Sequence, residues 1–250
     1  MGIVTIQNET TLYPITLIGK EAGICWGANT EDDNRNYKRG IDCIQNDHGR
    51  TLEFPQVYIV IDGYSARVMR ELYTHIGGAP TRLQASTRYI IYKDFSKKEQ
   101  FVTPNSIIKK GGEALSIYVN TMNTIANAMN ELEDLGIPRE DIALMLPLGM
   151  NSKMVLRTNL RNLIDMSHQR LCTRANWEFR ELFKDIMKSL EEYSDEWKYL
   201  VFNCFKPKCE FLGYCPEKFS CGKTAKSRME QAINKLKSAG YSIQEPDDVK

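Results

Sequence analysis

The chain has 250 residues, 42% of them hydrophobic, enough to bury the core of one large domain or of a domain with an appendage. Its 33 Lys and Arg against 32 Asp and Glu leave a formal net charge of +1, which excludes a globally basic surface for nucleic acid or anionic membrane, so any anion site must be local. The first residues lack a basic stretch followed by a long apolar core, and no later apolar run approaches a membrane span; we expect a cytoplasmic protein with no membrane or nucleic-acid partner.

In chain order, VTIQ and ITLIG carry short strand signals, and the polar stretch NTEDDNRNYKRG opens or interrupts a helix. In QVYIVIDGYS, Val57, Ile59 and Ile61 alternate with Gln56, Tyr58 and Val60, which predicts a largely buried strand ending at Asp62-Gly63. Ser65 then caps a helix, SARVMRELYTHI, with Val68, Leu72 and Ile76 as its inward stripe and Gly77-Gly78 marking its end. Ser86 to Tyr92 is expected to resume as a strand. From Glu113 to Leu135 apolar residues recur at three and four, the clearest helix in the chain, and Gly136-Ile137-Pro138 terminates it. IALMLPLGM reads as a short buried strand. Helices are expected from about Lys153 to Arg170 and from about Arg174 to Tyr193, and TAKSRMEQAINKLKSAG makes a last one. These elements predict an α+β fold, a mixed or antiparallel sheet flanked by helices, with residues 1–200 as the main domain and 201–250 as a cysteine-rich extension and C-terminal helix.

Two stretches carry chemistry. THIGGAPTRLQASTRY, Thr74 to Tyr89, holds one of three histidines, a Gly-Gly-Ala-Pro turn and Ser86 and Arg88 at spacing two, which on a strand presents hydroxyl and guanidinium to one side, as a phosphate requires. The second is NLRNLIDMSHQRLCTRANWEFRELF, in which Asn159, Arg161, Asp165 and His168 or Gln169 share a helix with Leu160, Leu163, Ile164 and Met166. Those polar groups form either a solvated face or a polar wall over a cofactor.

This second stretch, preceded by Leu-Pro-Leu, resembles the C-terminal half of the flavin-dependent thymidylate synthases: Asn159-Leu160-Arg161, Arg170 and Ala175-Asn176-Trp177-Glu178 stand where that family has an Asn-x-Arg pair, a Leu-Arg pair and an Ala-Gln-Trp-Glu run. The likeness continues upstream from the His48 region through Gly63-Tyr64-Ser65 to His75, and in QASTRY, covering roughly residues 15 to 190. The resemblance implies the family's thymidylate synthase-complementing fold and reductive methylation of dUMP. Methylenetetrahydrofolate would donate the carbon, FAD the hydride, and NADPH would reduce the flavin. It implies that Gln84, Ser86 and Arg88 hold dUMP, with Glu71 near the nucleotide and Arg170 against the uracil ring as the catalytic cation. His75, Asn159, Arg161, Asp165 and Arg82 are assigned to the flavin side. It also implies a homotetramer.

The chain departs from the family at defined places. An Arg-His-Arg triplet is replaced by Thr74-His75-Ile76, and Ser86 follows His75 by eleven positions, two more than the family spacing. Ala143, Asp165, Phe54 and Glu71 stand where an Arg, an Asn, a His and a Gln are usual. Arg67, Arg70 and Arg82 are the candidates to replace the lost cations. Two other readings stay open: a divergent flavin- or folate-linked enzyme modifying another pyrimidine nucleotide, and a non-catalytic nucleotide- or nucleic-acid-binding module with a zinc cap.

Seven cysteines, an odd number, suit a reducing compartment. Cys204, Cys209, Cys215 and Cys221 crowd into eighteen residues and supply four soft ligands suited to zinc or an iron–sulfur cluster; buried free thiols are the alternative.

Overall fold

The computed structural model describes residues 2–90, 100–224 and 227–242. Strands β1 (Ile3–Ile6), β2 (Gln56–Ser65), β3 (Thr81–Gln84) and β4 (Asn151–Asn159) form an antiparallel sheet in the order β1-β2-β4-β3. In β2 the expected alternation holds: Val57, Ile59 and Ile61 are fully buried and point to one face. Met154 and Leu156 of β4 do the same, while Val155 faces outward.

Helices make up much of the rest of the described residues, and some of them cover the buried face. They are α1 (Pro14–Cys25), α2 (Asp33–Gln45), α3 (Ala66–Leu72), α4 (Asn105–Lys110), α5 (Gly112–Asp134), α6 (Arg139–Ile142), α7 (Leu160–Arg170), α8 (Trp177–Tyr193), α9 (Asp195–Cys204), α10 (Lys208–Leu212) and α11 (Ser227–Ser238). Ile15 and Ile18 of α1, Leu160, Leu163 and Met166 of α7, the Phe179-Leu182-Phe183-Ile186-Leu190 stripe of α8, and Trp197 and Leu200 of α9 join the sheet in one apolar core. Helix α5 stands apart, packing Met122, Ala126 and Met129 against Phe101, Ile142 and Met150 in a smaller cluster. Its methionine stripe is therefore core, as its spacing predicts.

Several expected elements change type, each for a local reason. ITLIG is part of α1, not a strand: Pro14 opens the helix, and Glu196 of α9 accepts hydrogen bonds from the Ile15 and Thr16 amides at 2.6 and 3.0 Å, satisfying donors that a helix start leaves orphaned. α1 then packs closely on α2 at Gly19 and Gly40; a Cβ on Gly19 would come 1.7 Å from the Asn36 carbonyl oxygen. The expected helix at Lys153 begins only at Leu160, because residues 151–159 pair with β2 and Asn159 caps α7 by accepting from the Asn162 amide at 2.9 Å. IALMLPLGM forms no strand. It is the end of α6 and a 3₁₀ turn, Ala143–Met145, leaving Leu144 and Leu148 exposed. Beyond β3 the Ala85 amide still donates to the Lys153 carbonyl at 2.7 Å, but the Tyr89 and Ile90 amides fold back onto the Ser86 carbonyl, so residues 86–90 make a turn; Ile91 and Tyr92 lie outside the described residues. Helix α3 ends at Leu72, so His75 follows its end by three residues and Ile76, expected inside, is exposed.

Candidate active site

Helix α3, the loop after it and the end of α7 converge on one polar cluster. Ser65 caps α3, its hydroxyl accepting from the Val68 amide at 3.3 Å, and the Ser65 amide and hydroxyl both donate to the buried Glu178 carboxylate at 2.6 Å. Glu178 is the last residue of the Ala-Asn-Trp-Glu run. It therefore fixes the start of α3, and with it the residues that α3 delivers to the site.

Arg170, the last residue of α7, is the centre of the cluster. Its Nη1 pairs with Glu71 Oε2 at 2.7 Å, its Nε donates to His75 Nε2 at 2.8 Å, and its Nη2 donates to the Thr74 hydroxyl at 3.3 Å. The guanidinium lies over the Phe179 ring, 4.3 Å from its centroid. The other Glu71 oxygen accepts from Asn176 Nδ2 at 3.2 Å and meets Arg67 Nε at 3.7 Å. Arg170 is thus held on three sides and cannot rotate away without breaking charge-assisted bonds.

His75 is buried, edge-on to Phe179. Because Arg170 donates into Nε2, the imidazole is neutral and carries its proton on Nδ1. Burial, then the positive charges of Arg170 and Arg82, push its pKa down to about 4. Arg82 of β3 donates through Nη2 to the His75 carbonyl and sits 5.3 Å from the Tyr73 ring centroid. Of the three arginines considered as replacements for the lost triplet, Arg82 reaches His75, Arg67 reaches Glu71, and Arg70 is exposed.

The Gly-Gly-Ala-Pro turn closes over the start of α7. Gly78 adopts φ 67°, and a Cβ there would come 2.0 Å from Asn159 Nδ2; at Gly77 it would meet Asn162 Oδ1 at 3.0 Å. The turn also receives Arg157 Nη2 on the Ala79 carbonyl at 3.4 Å. Among the described residues neither Arg82 nor Arg157 has a carboxylate partner, and the Nε of each is buried without a hydrogen-bond partner. Two uncompensated guanidinium groups beside a glycine turn suit a phosphate-bearing ligand.

The other sequence-chosen residues lie around this cluster rather than in it. Gln84 Nε2 donates to the Ser152 hydroxyl at 3.3 Å, two residues along β3 from Arg82. The Ser86 hydroxyl accepts from the Arg88 amide at 3.3 Å, and Arg88, largely exposed, meets Glu140 at 3.1 Å. Arg161 pairs with Glu53 at 2.6 Å, and Asp165 is exposed one turn further along α7. Sequence reasoning assigned no role to Glu178, Thr74 or Phe179; the signals for Glu178 were its place in the Ala-Asn-Trp-Glu run and an acid beside the apolar α8 stripe.

A cavity of about 450 Å³ opens beside Arg170, between residues 168–175 and 207–223, and Cys209, Cys215 and Cys221 line it. Cys204, expected with them, packs instead on the main core, where burial pushes its thiol up to about 11. Among the described residues, no three His, Cys, Asp or Glu side chains approach closely enough to hold a metal ion as they stand. No described helix is long and apolar enough to cross a membrane.

An antiparallel sheet under helices, with a partly buried cation and a glycine turn at one edge, defines an α+β protein with a polar cluster chemically suited to anionic, planar groups. Residues 10–194 match the family described as thymidylate synthase complementing protein. The chain is similar to the flavin-dependent thymidylate synthase of Pyrococcus abyssi, 31% identical over 75% of this chain and 78% of the relative. It is similar also to that of Pyrococcus furiosus, 30% identical over 68% and 69%. A solved structure of the Helicobacter pylori flavin-dependent thymidylate synthase complexed with FAD and dUMP shares the fold with a TM-score of 0.63 at 19% identity, covering 82% of this chain and all of that one. The chain belongs to the thymidylate synthase complementing protein family.

Proposed function

We propose that this protein is a flavin-dependent thymidylate synthase that converts dUMP to dTMP, with methylenetetrahydrofolate as carbon donor and NADPH as reductant. The observation that carries the reading is Arg170, a partly buried cation locked by Glu71, His75 and Thr74 at the family's uracil-side position. A fixed guanidinium stabilises negative charge as it develops on uracil N3, O2 or O4 while carbon 5 becomes nucleophilic, without reorganising during the reaction. Glu71 keeps Arg170 oriented, and neutral His75 accepts from it without adding a competing charge.

The residues fit FAD. Arg82 and Arg157, with unpartnered Nε groups beside the Gly77–Ala79 turn, are donors for a pyrophosphate; Asn159 meets the same turn, and Arg161, beside Gly49, is assigned to the flavin by the family resemblance. When bound, FAD supplies the hydride. Asp165 extends this flavin-side face. Gln84, Ser86 and Arg88 are assigned to the dUMP phosphate; Arg88 exchanges an exposed contact with Glu140 for it.

We further propose a cytoplasmic homotetramer, with residues 1–200 as the catalytic body and 201–250 as an extension continuous with α9. Exposed Leu83 (69%) and Ile76 (76%) near the site support an intersubunit surface there. Thr74, Ile76 and Ala143, in place of family arginines, favour as second reading another pyrimidine nucleotide as substrate. The decisive experiment is tritium release from dUMP labelled at carbon 5 by anaerobically prepared protein with FAD, methylenetetrahydrofolate and NADPH. Turnover supports the synthase; flavin binding with release only from another pyrimidine nucleotide transfers the activity to that substrate, and failure to bind flavin or any nucleotide rejects both readings.

A further inference from the structure

The cysteines that crowd residues 204–221 do not share one environment. Cys204 closes α9 against the main core, away from the cavity beside Arg170. Cys209, Cys215 and Cys221 line that cavity, and a fourth thiol joins them from a distant part of the chain: Cys172, in the loop between α7 and α8. We propose that Cys172, Cys209, Cys215 and Cys221 hold a thiophilic metal centre, a single zinc ion or an iron–sulfur cluster, that fastens the extension to the α7–α8 loop.

Four features support this. Four thiolates complete the ligand set of tetrahedral zinc or of a cluster, whereas the set read from the sequence alone spends one ligand on a thiol committed to the core. Arg170, Arg174, Lys208 and Lys223 line the same cavity, and their positive charges offset the negative charge that four thiolates bring. The extension is already docked at this place. Ser167 Oγ donates to the Lys206 carbonyl at 3.3 Å, Arg174 reaches the Phe219 carbonyl at 3.3 Å and Glu217 at 3.5 Å, and His168 and Phe211 stack 4.7 Å apart.

The last feature is energetic. Helix α10 buries no residue, and Phe211 and Phe219 are 61% and 71% exposed, so residues 207–223 have no apolar core to fold around. A segment of this kind gains its folding energy from ligation. The thiols line the cavity without converging, and binding draws them inward. Because Cys172 and Arg174 share the loop that runs from Arg170 to the α8 cap, the centre also stiffens the chain carrying the catalytic cation. The proposal is independent of which nucleotide the enzyme uses.

The test uses the full-length protein prepared anaerobically, analysed for zinc, iron and acid-labile sulfide, and pulse-labelled with an alkylating reagent read by mass spectrometry. We expect one centre per chain: zinc without sulfide identifies a zinc site, and iron with sulfide a cluster. Cys25 and Cys221 are both exposed, so burial cannot distinguish them. Cys221, Cys172, Cys209 and Cys215 should label at least about tenfold more slowly than Cys25 until the metal is stripped, and then speed up, while Cys204 stays slow in both states. Cys204→Ser should keep its metal and Cys172→Ser should lose it. Absence of stoichiometric metal after isolation and after reconstitution with either metal, or labelling of Cys172 in the metal-bound protein as fast as Cys25, overturns the proposal.

Discussion

Neutral, buried His75 makes stability depend on pH in a way that can be worked out beforehand. Folding moves its pKa from 6.5 to about 4, so between these values the unfolded chain binds more protons than the folded one. Its contribution is complete above the unfolded pKa and is lost as the pH falls toward 4. At about 1.4 kcal/mol for each tenfold change in proton affinity, the total approaches about 3 kcal/mol, of which about 2 kcal/mol is gone by pH 5. His75→Gln retains an amide oxygen to accept from Arg170 Nε and removes the titration. Urea unfolding of both proteins at pH 7.5 and pH 5 isolates the effect, since every other titrating group is common to the two. The wild type should lose about 2 kcal/mol more than the variant. Equal losses would show that His75 is not held neutral by Arg170 and its burial, and the geometry drawn around Arg170 would have to be abandoned.

Arg170→Lys should lower kcat about a hundredfold with little change in the KM for dUMP, because a lysine cannot keep three directed contacts; steady-state tritium release measures both parameters. Arg88→Ala should do the reverse, raising KM by about tenfold with kcat nearly intact. Glu178→Ala leaves the Ser65 amide and hydroxyl buried without their acceptor and should cost about 2 to 4 kcal/mol in urea unfolding, while Glu178→Gln recovers part of it. Gly78→Ala meets both the positive φ and Asn159, and should weaken FAD binding by about tenfold, read by fluorescence titration.

How much could be read in advance depended on whether the deciding contact was local. Helix α5 was legible almost residue for residue, since a stripe repeating at three and four needs no partner to be recognised. β2 was legible for the same reason at period two. ITLIG and residues 153–159 were misread because their periodicity is compatible with both states. Glu196 at the start of α1 and β2 alongside β4 decided between them, and both partners are far away in sequence. The turn at 86–90 replaced a strand where pairing with β4 ran out.

For the site, residue types and motif order determined the family, and the resemblance they carry put forward Glu71, His75, Arg82, Asn159 and Arg170 as site residues. Only the tertiary structure decided that Arg170 is clamped between Glu71 and His75, that Glu178 braces α3, and that Cys172 rather than Cys204 stands with Cys209, Cys215 and Cys221. The physical reason is common to all three. Each depends on a side chain's burial and on a partner brought close by packing of α3, α7, α8 and the extension, and neither quantity is carried by spacing along the chain.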